Sequence, residues 1–110
     1  MFEQGDILMV PFPFSDLTEI KQRPVLVISK NNYNLKNEDI ITCGITSNLR
    51  DSSHSVIIGE EELLSGKIPS KSRIKVDKIF TLEQGIVRKK LAKINKNTFQ
   101  KVKEEYSKLV

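Results

Sequence analysis

"IKQRPVLVIS", residues 20–29, decides how this chain is read. Val25, Leu26, Val27 and Ile28 form an unbroken apolar run. Successive side chains of a strand face opposite sides, so the run predicts a strand buried on both faces. Arg23 stands immediately before Pro24, at the mouth of that strand. Proline has a fixed φ and biases the residue before it toward extended geometry, so the backbone under Arg23 is stiff. A guanidinium mounted in that way is suited to clamp a phosphate or a developing negative charge. The plainer alternative is an arginine that ends the strand and pairs with a neighbouring carboxylate.

On the N-terminal side, "GDILMV" (5–10) reads as a short strand that Pro11 and Pro13 should stop, since neither can donate to a ladder. Residues 14–22 read as a polar connection and "KNNYNLKNED" (30–39) as a loop rich in asparagine and charge. "IITCGITS" (40–47) is a further strand, with Gly44 marking a bulge or a close approach. "HSVIIG" (54–59) is another, and "EELLSG" (61–66) reads as one helical turn ended by glycine. "SRIKVDKIFTL" (72–82) alternates Ile74 and Val76 with Lys75 and Asp77, as a half-buried strand should. "GIVRKKLAKI" is mixed, strand or turn. Asn95 is a good helix N-cap, and Phe99, Val102, Tyr106 and Leu109 follow it at helical spacing. Many short strands and one terminal helix predict a mainly β fold with helices (α+β). The expected form is a small SH3-like β-barrel with the C-terminal helix packed on the sheet.

Composition bounds the function. The chain has 110 residues, 38% hydrophobic and 29% charged, with no repeat or linker to divide it, so residues 1–110 are expected to form one domain. No apolar run approaches the length of a membrane span, and the first residues lack the basic start of a signal peptide. One cysteine, Cys43, rules out an internal disulfide and fits a reducing cytoplasm. With a single histidine, His54, there is no cluster to hold a transition metal, and no cofactor is expected. Charge is uneven: residues 1–66 balance at −5 and residues 67–110 at +9, giving the net +4. A strongly basic side suits a polyanionic partner, or merely a soluble surface.

Thr46 and Ser47 end the strand that a small meander would place beside the Arg23 strand. Two hydroxyls near a guanidinium make a compact donor set for phosphate oxygens, although such residues also cap turns. Cys43 has no histidine in its motif and reads as a small buried hydrophobe. Phe14 reads as core, whereas Tyr33, in a polar stretch, is open to base stacking or to simple exposure. His54 has the pKa range of a base but lies in the polar stretch "RDSSHS".

Together, "GDILMVPFPFSDLTEIKQRPVLVIS", "ITCGITSN" and "IKVDKIFTL" resemble the MazF/PemK family of toxin endoribonucleases over essentially the whole chain. The resemblance implies a MazF/CcdB-type barrel, a homodimer, metal-independent cleavage of single-stranded mRNA, and inhibition by a cognate antitoxin. The family's arginine before proline falls on Arg23 and its strand-end threonine on Thr46; a basic residue two before an aspartate falls on Lys75 and Asp77. Arg23, Thr46 and Asp77 are thus the catalytic candidates, and Gln22, Ser47, Lys75, Arg73 and Tyr33 the RNA-binding ones. The chain departs from the family pattern in two places. The histidine and glutamate that some branches carry before the arginine are absent, Glu19 being offset, and Phe80 stands where many members have arginine.

RNA carries its own nucleophile, the 2′-OH, so cleavage through a 2′,3′-cyclic phosphate asks for in-line geometry, proton transfer and cations at the phosphorane. Arg23 fits the last role, because its fork matches phosphate and does not deprotonate at neutral pH. Thr46 is expected to orient a non-bridging oxygen, and Asp77 is a candidate proton acceptor. Two rivals stand beside this reading: a CcdB-like toxin that binds gyrase and catalyses nothing, and an RNA-binding homologue without cleavage.

Overall fold

The apolar run belongs to the central strand of a seven-stranded antiparallel sheet. The chain, described here by a computed structural model over residues 1–13, 20–50 and 53–110, forms β1 (Asp6–Pro13), β2 (Ile20–Val27), β3 (Asp39–Thr46) and β4 (Ser55–Ile58). It continues through β5 (Leu63–Gly66), β6 (Ser72–Glu83) and β7 (Lys89–Ile94). Two helices, α1 (Asn31–Lys36) and α2 (Lys96–Ser107), and two single 3₁₀ turns complete it. The strand order is β4-β6-β3-β2-β1-β7-β5, and the sheet curls into a half-barrel with α2 against it. This is the mainly β architecture with a C-terminal helix that the sequence predicts. Phe14 and Glu19 lie outside the described residues.

Val25, Leu26 and Val27 are all fully buried, but not in the same core. Leu26 packs with Ile7, Ile45, Ile74 and Val102, on the face that α2 covers. Val25 and Val27 point the other way and pack with Leu8, Val10 and Ile40. One strand therefore contributes to two apolar clusters, which is why its sequence shows no alternation. Full burial of a Leu or Val side chain contributes about 1.5–3 kcal/mol, so the three together make this strand a large contributor to stability.

The prolines do not stop β1. Pro11 lies opposite Gln22 and Pro13 opposite Ile20. Both share the parity of Met9, which faces Pro24 in the same ladder, so the missing N–H groups all fall where the strand does not bond its partner. On its other side β1 pairs with β7 only as far as Met9, leaving the proline nitrogens without a neighbour to serve. Three other expectations also change. β2 begins at Ile20, so residues 20–22 are strand rather than connection and Arg23 lies within the strand, not at its mouth. The asparagine-rich stretch contains the short helix α1, and "EELLSG" is a 3₁₀ turn followed by β5, which pairs with β7. Asn95 caps α2 as expected, its Oδ1 accepting from the Thr98 N–H at 2.8 Å, a bond typically worth about 1 kcal/mol. Val102 is buried and Phe99 packs on the first core, whereas Tyr106 and Leu109 remain exposed.

Gly66 joins β5 to its partner at φ +78°, where a side chain is strained. A methyl there would overlap the Leu91 carbonyl oxygen and lie 2.6 Å from Ala92 Cα, both backbone atoms that cannot swing aside. Gly66→Ala is therefore expected to cost at least about 2 kcal/mol, read as a lower denaturant midpoint with an unchanged slope. An unchanged midpoint would show that the β5–β7 pairing is not part of the cooperative fold.

Candidate active site

The fully buried part of the second apolar cluster ends at Val10 and Val25; beyond it on that face come Phe12 on β1, which packs against the cluster, and Arg23 on β2. Val25 pairs with Gly44 as the last rung of the β2–β3 ladder, and the same register continued sets Arg23 across from Thr46. Thr46 in turn faces Arg73 of β6, and Val10 faces Arg23 from β1. Arg23 and Thr46 thus extend one lateral row of the sheet beyond the core, on a face that α2 does not cover.

A cleft of about 270 Å3 opens at this point. Arg23 and Pro24 come from β2, Gly44 and Thr46 from β3, and Phe12 from β1. Lys75, Lys78 and Phe80 come from β6. The arrangement depends on a bulge. Cys43 is opposite Ile79 while Gly44 is opposite Lys75, so residues 76–78 of β6 have no partner in β3. A bulge re-aims side chains, and here it brings both Lys75 and Lys78 to one cleft. Val76 N–H, freed from the ladder, donates to the His54 carbonyl at 3.0 Å.

Two aromatic rings close the cleft. Phe12 and Phe80 sit 5.0 Å apart between centroids and tilted by 52°, within the range of favourable ring pairing. Thr42 Oγ1 donates to the Phe80 carbonyl at 2.9 Å and fixes the backbone there. Gly44 forms part of the floor; a Cβ would stand 3.6 Å from the Phe80 ring. Phe80 is 38% exposed, so its ring is accessible from the cleft. At Thr46 the hydroxyl oxygen accepts from the Asn48 N–H at 3.1 Å, which leaves its O–H available as a donor.

The model of the family described as PemK-like, MazF-like toxin of type II toxin–antitoxin system matches residues 3–110. The chain belongs to this family. Solved structures agree in fold. An endoribonuclease in complex with its cognate antitoxin from a mycobacterial species superposes with a TM-score of 0.79 at 19% identity, over 98% of this chain and 93% of that one. MazF in the MazE–MazF crystal structure from Deinococcus radiodurans gives 0.72 at 20% identity, over 98% and 93%. The Mycobacterium tuberculosis toxin MazF-mt6 gives 0.72 at 14% identity, over 94% and 93%. No curated protein of matching sequence was found.

Within this PemK/MazF-like toxin, Arg23, Thr46 and Lys75 meet at the cleft, and the other candidates are placed elsewhere. Gln22 is exposed one residue before Arg23 on β2, and Ser47 is exposed just beyond β3. Asp77 is exposed in the bulge, between the two cleft lysines but not lining the cleft. Tyr33 lies on α1, beyond the far end of β2 from Arg23. Arg73 does not reach the cleft at all: it is 8% exposed, with both terminal nitrogens bonded inside the toxin. His54 Nδ1 stands 4.0 Å from Glu105 Oε1 and does not line the cleft either. Cys43 is buried, and burial pushes its thiol up to about 12, so it stays neutral and inert as a nucleophile.

The toxin's basic stretch is also partly spent on structure. Lys93 Nζ lies 2.7 Å from Glu3 Oε1, and Lys90 Nζ lies 3.2 Å from Oδ1 of the buried Asp6. The hydrogen bond between Lys93 and Glu3 holds the lysine's pKa above its usual value and the carboxylate's below. A second hollow, of about 320 Å3 between α2 and the sheet, is walled by Ile28, Ile41, Phe99, Val102 and Tyr106 and contains none of the candidate residues. Among the described residues, no helix is long and apolar enough to cross a membrane.

Proposed function

We propose that this toxin is an endoribonuclease that cuts single-stranded mRNA at the Arg23–Thr46 cleft, in the cytoplasm, where its substrate is. The convergence of Arg23, Thr46 and Lys75 from three strands on one cleft walled by two phenylalanines supports this reading. Arg23 clamps the charge that develops on the phosphorane, and Thr46 donates to a non-bridging oxygen. Lys75 and Lys78 hold flanking phosphates, with Gln22 and Ser47 at the rim. Phe80, with Phe12 behind it, offers a surface on which a base can stack; Tyr33 is too far along the sheet to join them. The reaction passes the 2′-OH proton to an acceptor; Asp77 keeps that role only from beside the cleft, in the bulge between Lys75 and Lys78, and not from its wall. The P–O5′ bond breaks as the leaving oxygen takes up a proton, returned from that acceptor or from water, leaving a 2′,3′-cyclic phosphate and a 5′-OH. Since the nucleophile is the substrate's own, no step asks for a metal.

The solved structures described as toxins with a cognate antitoxin support the same control here. An acidic, partly apolar antitoxin segment matches a cleft that is cationic at its rim and aromatic within. A symmetric homodimer would set two such clefts side by side and cover apolar surface such as Ile79 and Tyr106.

The test is incubation of purified toxin with a long RNA in EDTA. Discrete fragments ending in cyclic phosphate are expected. Intact RNA, with EDTA and with magnesium alike, would favour a gyrase-type or merely RNA-binding toxin; RNA retention in a gel would then tell those two apart.

A further inference from the structure

We infer that Arg73 is a positioning residue: its buried guanidinium holds the turn that aims the Thr46 hydroxyl into the cleft. The inference rests on the reading of Thr46 given above.

Arg73 occupies the same lateral row as Arg23 and Thr46, with Thr46 facing it from β3 and Ile57 from β4. A cation in that row should reach solvent, yet Arg73 is 8% exposed. Nη1 donates to Ser55 Oγ at 2.6 Å, and Nη2 donates to the Leu49 carbonyl at 3.2 Å. Nε is buried with no hydrogen-bond partner among the described residues. Burying a guanidinium whose terminal nitrogens meet a hydroxyl and a carbonyl rather than a carboxylate is costly, and a plain apolar residue would fill the space more cheaply.

The contact at Leu49 shows what this arrangement does. Leu49 sits in the turn that leaves β3, and the turn is built on Thr46. Asn48 N–H donates to Thr46 Oγ1 at 3.1 Å, and Arg50 N–H donates to Asn48 Oδ1 at 3.0 Å. Because the Thr46 oxygen accepts from Asn48, its own proton points elsewhere, and the cleft is where a phosphate oxygen would take it. Neither bond survives if the turn drifts. Arg73 ties the turn at Leu49 to β4 at Ser55, and so fixes the acceptor that fixes the hydroxyl. Misplacing a catalytic group by about 1 Å is enough to cost on the order of 100-fold, so a residue that never meets RNA can govern the rate.

The experiment is a double-mutant cycle in the full-length toxin, with Arg73→Met and Thr46→Ala alone and together, assayed well below each variant's melting midpoint. Arg73→Met is expected to lower kcat at least about tenfold with KM within about twofold. Thr46→Ala should then cost far less in the Arg73→Met background than in the parent. Arg73→Lys should restore part of the rate. Amide exchange at Asn48 and Arg50 should accelerate in Arg73→Met while Ile45 and Ile74 stay protected, a readout that does not require activity. Ser55→Ala, which removes one partner and leaves the guanidinium in place, should give the same pattern more weakly and serves if Arg73→Met does not fold. Additive losses, or unchanged exchange at Asn48, would overturn the inference alone. A silent Thr46→Ala would instead remove the reading on which it rests.

Discussion

Arg23→Ala is expected to lower RNA cleavage at least about 100-fold while leaving the fold in place. That loss corresponds to about 2.7 kcal/mol of transition-state stabilisation. Arg23 is exposed within β2, just before Pro24 and outside both apolar clusters, so its truncation should leave the fold in place. The stiffness that makes it useful belongs to Pro24 and to Val25–Val27, which the substitution does not touch. The loss should fall mainly on kcat, because Lys75 and Lys78 still hold the strand by its flanking phosphates. Arg23→Lys should recover little: an ammonium restores the charge but not the planar fork that meets two oxygens at once. Single-turnover cleavage with circular dichroism as the folding control measures both. A folded Arg23→Ala toxin that cuts RNA at near the parent rate would end the assignment of Arg23 as the clamp.

The parts of this molecule that were legible in the sequence are those that local chemistry determines. An apolar run at period one must be buried on both faces, and Val25 to Val27 are. An asparagine before a helical stripe caps it, and Asn95 does. Arg23 and Thr46 were readable as a pair because a meander sets the start of one apolar run beside the end of the next, and the β2–β3 register does so, although β2 itself begins earlier, at Ile20.

What escaped was set by pairing that no local pattern reveals. Pro11 and Pro13 look like strand breakers until the ladder's parity is known, and then they fit. Lys75 and Asp77 look equivalent under alternation, yet the 76–78 bulge gives Lys75 and Lys78 to the cleft and leaves Asp77 outside its walls. Phe80, at a position where arginine was looked for, turns out to pair with Phe12 and wall the same cleft. Lysines and an arginine counted as one basic surface prove to have separate duties. Lys90 and Lys93 pair with Asp6 and Glu3, and Arg73 is buried. A glycine and a bulge at the Cys43–Gly44 step were the one sequence signal for the rearrangement, since Gly44 did suggest an irregularity.

The chemistry makes a second large prediction, on the substrate. RNA carrying a 2′-deoxy nucleotide on the 5′ side of the scissile phosphate is expected to bind and not be cut there. Apart from the proton acceptor, the role proposed for Asp77, every group we place at the cleft acts on something other than that hydroxyl: Arg23 and Thr46 on phosphate oxygens, Lys75 and Lys78 on the backbone, Phe80 on a base. Removing the 2′-OH should therefore weaken binding by no more than about tenfold, the worth of one hydrogen bond. Cleavage at that linkage should fall below detection, because the attacking oxygen is gone and nothing in the cleft supplies another. Other sites in the same strand should still be cut, which controls for inhibition. The comparison with Arg23→Ala is informative, since both lose cleavage but for opposite reasons. One lacks the group that stabilises the phosphorane, the other the atom that forms it, and only the first should be slowed uniformly at every site. Cutting at the deoxy linkage would mean that water or a protein group attacks instead. The cyclic-phosphate route would then have to be abandoned even if Arg23 proved essential.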